Sequence, residues 1–135
     1  MTHIILPTVA GVITFGLLDY LWLAHVAKRF YLDRLAAHIT IKDGALVPYL
    51  PAIPLIYGVA ILGIWVFVLS WATTFKEAAL YGALFGLLMY AFYDFTNLAT
   101  LKDYPWSVAL VDTVWGAFIV GAVSAVMFYV YSILA

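Results

Sequence analysis

The chain has 135 residues, of which 67% are hydrophobic and only 10% charged, with a formal net charge of −1 at pH 7. A soluble domain carries charge on roughly a quarter of its residues, so this composition belongs in a lipid bilayer, and the near-neutral balance argues for no nucleic-acid partner. Cysteine is absent, which excludes disulfides, thiolate metal sites and cysteine nucleophiles, and the length fits a single transmembrane domain over residues 1–135 without an aqueous catalytic domain.

A hydrocarbon core of roughly 30 Å takes about 20 residues of helix. Four stretches reach that length, approximately residues 4–27, 49–71, 78–101 and 106–133, which predicts an all-α, integral membrane four-helix bundle. The first has no positive charge ahead of its apolar run and is followed by Lys28 and Arg29, so it reads as a retained span rather than a cleaved signal peptide. It carries Asp19 and, one turn on, Trp22. The long connection "KRFYLDRLAAHITIKDG" follows. Tyr31, Leu35 and Ile39 recur there at i, i+4 and i+8 with Arg29 and Asp33 on another side, the pattern of a short interfacial helix between the first two spans; an ordered loop is the alternative.

"PYLPAIP" opens the second span. Proline is tolerated in a first turn but not deeper, so Pro54 is expected to distort the start of that helix. In the third span Gly82 and Gly86 form a GxxxG, and Gly86, Tyr90, Tyr93, Asn97 and Thr100 share a narrow sector with Asp94 at its margin. "FGLLDY" at 15–20 and "FGLLMY" at 85–90 match at five of six positions, an echo on which no mechanism rests. The fourth span carries Asp112, Trp115 and a small-residue ridge of Ala117, Gly121 and Ala125. That ridge suits close approach by a helix, within the bundle, in a homo-oligomer or from a partner subunit.

The first and third connections hold Lys28, Arg29, Arg34, Lys42 and Lys102, against Lys76 and the terminal amine on the other side. The positive-inside rule then puts those connections in the cytoplasm and both termini in the periplasm, with Trp71 and Trp106 in the interfacial belts.

Three acids share one depth. Asp19 and Asp94 precede the basic residues Lys28 and Lys102, and Asp112 follows Lys102, by eight to ten residues; at helical rise each carboxylate lies about 10–14 Å inside the cytoplasmic edge. The segments "DYLWL", "DFTNL" and "DTVWG" each stack a partner one turn away: Trp22, Asn97 and Trp115. An Asp near mid-span costs about 2.5–3.5 kcal/mol on insertion scales, so the three are expected to face one another. Adjacent carboxylates in low dielectric cannot all ionise, and at least one of the three is expected to hold a proton unless a cation lies among them. A candidate ligand- or proton-binding pocket therefore comprises Asp19, Asp94, Asn97, Asp112, Tyr90, Tyr93, Trp22 and Trp115. The plainer reading is interhelical hydrogen bonding that fixes packing, against which stands the use of three acids with no basic partner in the membrane. His3, His25 and His38 show no metal-ligand pairing, which disfavours zinc; a hard cation held by Asp19, Asp94 and Asp112 is the only metal the donor set suggests.

"LLDYLWL" with "AKRFY" close behind, "YDFTNLATLKDYP" and "LVDTVWG" together resemble the signature segments of the bacterial membrane protein family called domain of unknown function 2177. The resemblance spans nearly the whole chain. It implies a four-helix protein of the bacterial inner membrane and supplies no activity, cofactor or catalytic residue.

The residues support three functions. The first is binding or transport of a small solute, cation or proton at the acidic pocket. The second is an intramembrane enzyme acting on a lipid or isoprenoid with two of the acids as general acid and base, and the third is an accessory subunit whose ridges bind a partner in the lipid bilayer.

Overall fold

The computed structural model describes residues 1–134. It is an all-α membrane bundle with four helices long and apolar enough to cross a bilayer. In chain order these are α1 (Thr2–Leu21), extended by a π-helical turn over Trp22–Val26; α3 (Ile53–Ile64), extended by a second π turn over Trp65–Leu69; α4 (Phe75–Thr100); and α5 (Trp106–Leu134). Between α1 and α3 lie the short helix α2 (Lys28–Leu35) and a two-stranded antiparallel hairpin of β1 (Ile41–Lys42) and β2 (Ala45–Leu46).

Local chemistry explains the boundaries. The α1 helix ends where the Ala27 amide donates back to the Trp22 carbonyl at 2.7 Å, closing the wide turn from which α2 departs. Asp43 (φ 52°) and Gly44 (φ 71°) turn the hairpin, and an Asp-Gly pair with both residues in the left-handed region favours a two-residue turn. The second span does begin with a distorted turn, but Pro54 is not its cause. Leu50–Ala52 form a 3-10 turn and α3 starts only at Ile53, so Pro54 falls in the first helical turn, where its missing N–H has no partner to lose. A capping box starts α4: Thr74 Oγ1 accepts from the Glu77 amide at 3.2 Å, and Glu77 Oε2 accepts from the Thr74 amide at 3.2 Å.

The α4–α5 pair is the most extensive contact in the protein, and α1 packs on α5. Residues spaced by four meet in register. A Cβ on Gly82 would run into the Ser124 side chain, one on Gly86 into Val120 and the Gly116 backbone, and one on Gly116 into the Tyr90 ring. Asp94 and Asp112 form the next rung, their carboxyl groups within hydrogen-bonding reach. Paired i±4 rows are the ridges-into-grooves arrangement, and here glycine on one side or the other of three rungs lets the backbones close.

A four-residue step advances about 40° around a helix with 3.6 residues per turn, so the contact line winds around α5 as it rises. That winding brings the other side of α5 against α4 as well: a Cβ on Gly121 would lie 3.0 Å from the Ala79 carbonyl oxygen. Gly121 and Ala125 are buried and Ala117 is half-buried; Gly121, the centre of the ridge, is used inside the bundle. The main core, built on Phe15, Ile64, Ile119, Val123 and Met127, lies between α1, α3 and α5.

Gly86→Ala should destabilise the protein by about 1–3 kcal/mol, the usual cost of overpacking, read as a lower unfolding midpoint in detergent or bicelles. Gly58→Ala adds a methyl where nothing lies within 4 Å and should leave the midpoint unchanged or slightly raised. Equal effects would refute the glycine register.

Candidate functional site

The α4–α5 register fixes where the acids stand. Asp94 is fully buried, Asp112 and Asp19 partly so. Each carboxylate is met by aromatic donors rather than by a basic side chain. Tyr31, on α2, donates its hydroxyl to Asp112 Oδ1 at 2.5 Å and accepts from Trp22 Nε1 at 3.1 Å. Tyr104, in the α4–α5 connection, donates to Asp94 Oδ1 at 3.1 Å. Asp19 accepts from Trp115 Nε1 at 3.3 Å through Oδ1 and from the Tyr57 hydroxyl at 3.4 Å through Oδ2. These donors reduce the desolvation penalty of the acids, and the short Tyr31–Asp112 contact has the length of a charge-assisted bond, roughly twice as strong as a neutral one.

The indoles join the two halves of the site. Trp22 and Trp115 stack with centroids 4.3 Å apart and planes 4° from parallel. Trp22 reaches this position from the π turn that ends α1; such turns place side chains that a regular helix would aim elsewhere. Tyr90, packed over Gly116, lies within electrostatic range of Asp19, Asp94 and Asp112.

Asp94 and Asp112 face each other across α4 and α5, whereas Asp19 opens on a cleft of about 630 Å³ between α1, α3, α2 and the hairpin, whose lining includes neither of the other acids. Gly16, Asp19 and Tyr57 line its inner part, Ile53 and Ile56 its α3 wall, and Lys28 and Tyr31 its α2 wall. Tyr31 thus borders the cleft and bonds the buried pair. At the opposite end of α1 the Trp65 indole donates to Thr8 Oγ1 at 2.9 Å, which pins α1 to α3 away from the cleft. Among the described residues no group of three His, Cys, Asp or Glu side chains could hold a metal ion, so Asp19, Asp94 and Asp112 do not form the hard-cation cage that a common depth suggested.

The other expected residues divide. Asn97 is within hydrogen-bonding reach of the Tyr104 hydroxyl and so touches the pair indirectly. Tyr93 is 60% exposed on the outer face of α4, because the contact line advances by fours through Gly82, Gly86, Tyr90 and Asp94 and leaves position 93 about 100° away from Asp94. Three donors were not among the expected residues: Tyr31, Tyr57 and Tyr104. Tyr31 carried a signal, as the first member of the apolar repeat on α2; Tyr57 and Tyr104 carried none beyond being tyrosines near the acid layer.

Burial pushes the Tyr31 hydroxyl well above the ordinary tyrosine range, reinforced by the adjacent Asp112 charge. Burial does the same for Tyr104, with Asp94 adding to it and Asn97 opposing. The unfolded chain ionises tyrosine near about pH 10 while the folded chain keeps these two neutral, so the folded state binds more protons there and loses stability as pH rises past that value. Thermal unfolding should show this alkaline loss, and Tyr31→Phe should remove part of it; a variant profile parallel to wild type across that range would refute the role of Tyr31.

No curated protein and no solved structure matches the chain. A family described as predicted membrane protein, DUF2177, matches residues 4–129, which includes all three acids and every one of their aromatic donors. The chain belongs to that family.

Proposed function

We propose that the protein binds a small amphipathic molecule in the α1–α3 cleft, with Asp19 as the polar anchor, and that it works in the bacterial inner membrane with the α2 end in the cytoplasm. One observation carries this reading: Asp19 lines an open cavity that is otherwise mostly apolar and whose lining includes neither Asp94 nor Asp112. Its volume of about 630 Å³ lies within the roughly 300–1,000 Å³ of small-molecule sites. An ammonium or hydroxyl head would donate to the Asp19 carboxylate, whose present donors are long at 3.3 and 3.4 Å, while the apolar part would lie against Ile53 and Ile56. Binding is favoured over two-acid catalysis because Asp94 and Asp112 are not among the cleft residues. Lys28 at the cleft wall and Arg29 beside it support a cytoplasmic placement of this end.

A bromoalkylamine added to the protein in bilayers should quench tryptophan fluorescence with a saturable component, since Trp115 touches Asp19. Asp19→Asn, which keeps an acceptor but loses the charge, should weaken that component roughly tenfold, equivalent to about 1.4 kcal/mol; Asp33→Asn, exposed on α2, should not. Identical saturation in wild type and Asp19→Asn, or none in wild type, rules the site out.

Because the chain has no cysteine, orientation is testable directly. Lys76→Cys should react in intact cells with a membrane-impermeant maleimide, and Ala36→Cys only after permeabilisation; the reverse pattern inverts the proposed topology.

A further inference from the structure

We infer that Asp94 and Asp112 together form a dedicated proton-binding site, separate from the Asp19 cleft, in which one proton on Asp94 Oδ2 is donated to the Asp112 carboxylate. Three observations fit together. Asp94 is fully buried, and its Oδ2 has no hydrogen-bond partner among the side-chain and backbone donors around it. The Asp112 carboxyl lies within hydrogen-bonding reach. The remaining interactions are complementary to such a pair: Tyr104 donates to Asp94 Oδ1 and Tyr31 to Asp112 Oδ1, so each carboxyl group has one oxygen occupied by a phenol and one left for its neighbour.

Two ionised carboxylates at this distance in low dielectric repel strongly, and a single shared proton converts the repulsion into a short, charge-assisted hydrogen bond. A metal ion suits the site less well. Calcium takes 6–8 oxygen ligands, whereas the surrounding phenols point hydrogens at the carboxylates and among the described residues no third acid or histidine completes a metal-binding group.

The groups facing the pair are few. They are Tyr31 from α2, Tyr104 from the α4–α5 connection, Tyr90 from α4 itself, and, farther off on α1, Asp19, which feels the charge of Asp112. Tyr57 of α3 bonds Asp19 and not the pair. The phenols are neutral donors, and no basic side chain is among the partners of either carboxyl. Tyr31 is the link to the rest of the protein, since the same side chain borders the cleft and reports the charge of Asp112 to α2. The proton site does not depend on the cleft having a ligand.

Infrared difference spectroscopy of the full-length protein in bilayers, without any amphiphile, tests the inference. Near neutral pH wild type should show a protonated-carboxyl C=O stretch that shifts in D₂O and disappears on alkalinisation. Asp94→Asn should abolish it, Asp112→Asn, which replaces the charged acceptor by a neutral amide, should shift it in frequency, and Asp19→Asn should leave it in place. Should the Asn variants fail to fold, Tyr104→Phe, which removes the donor to Asp94, should shift the band in frequency without removing it. Absence of the band from wild type, its survival in a folded Asp94→Asn variant, an unshifted band in Asp112→Asn, its loss in Asp19→Asn, or an unshifted band in Tyr104→Phe would each overturn the assignment. Quenching by the bromoalkylamine is a separate measurement, so the cleft and the proton site stand or fall independently.

Discussion

The four-residue register between α4 and α5 is the constraint on which the rest of the protein depends. Gly82 against Ser124, Gly86 against Val120 and Tyr90 against Gly116 are rungs in which one partner is small enough for the backbones to close. In a bilayer, where helices gain little from hydrophobic exclusion, such close van der Waals packing is a main source of association. The same register delivers Asp94 to Asp112. Had the helices been held apart by larger residues, two carboxyl groups would each have faced lipid or core alone, at about 2.5–3.5 kcal/mol apiece.

Aromatic side chains then satisfy the acids that the register brings together. Tyrosine and tryptophan combine a large apolar body with one polar atom, so a phenol or indole serves a buried carboxylate without bringing a second charge into the membrane. The donors come from different elements: Tyr31 from α2, Tyr57 from α3, Tyr104 from the connection and Trp115 from α5. Tyr31 also explains why α2 is ordered. With Leu35 it is buried against Val108 of α5, so this amphipathic helix packs its apolar face on protein.

The outcome is a division of the acid layer into a sealed half and an open half. Asp94 and Asp112 meet in the α4–α5 contact, while Asp19, bonded to Tyr57 of α3, borders the cleft that α1 and α3 form with α2 and the hairpin. The stacked Trp22 and Trp115 lie between the halves, one indole bonded toward each. A proton held in the sealed half and a solute held in the open half would be neighbours through Tyr31 without sharing a binding atom.

Much of this was legible in the sequence, because bilayer insertion is governed by quantities that sequence carries directly. Segment length and hydropathy set the four helices, and the GxxxG of Gly82 and Gly86 marked a close approach. The Asp-Gly signal of the hairpin was there to be read in "IKDGAL". Partner identity was not legible, because it depends on how helices cross. A helical wheel treats a face as fixed, but a contact line advancing by fours winds around both helices; it therefore kept Tyr90, dismissed Tyr93, and drew Gly121 into the bundle. Likewise the pairing of Asp112 with Tyr31, separated by 81 residues, and the opening of Asp19 on the cleft arise from the packing of α2, α3 and the hairpin around α1. The sequence by itself determined that three acids must be carried on membrane-spanning helices; the tertiary structure decided which two meet and which one lines the cleft, since hydropathy is a property of one helix and contact is a property of two.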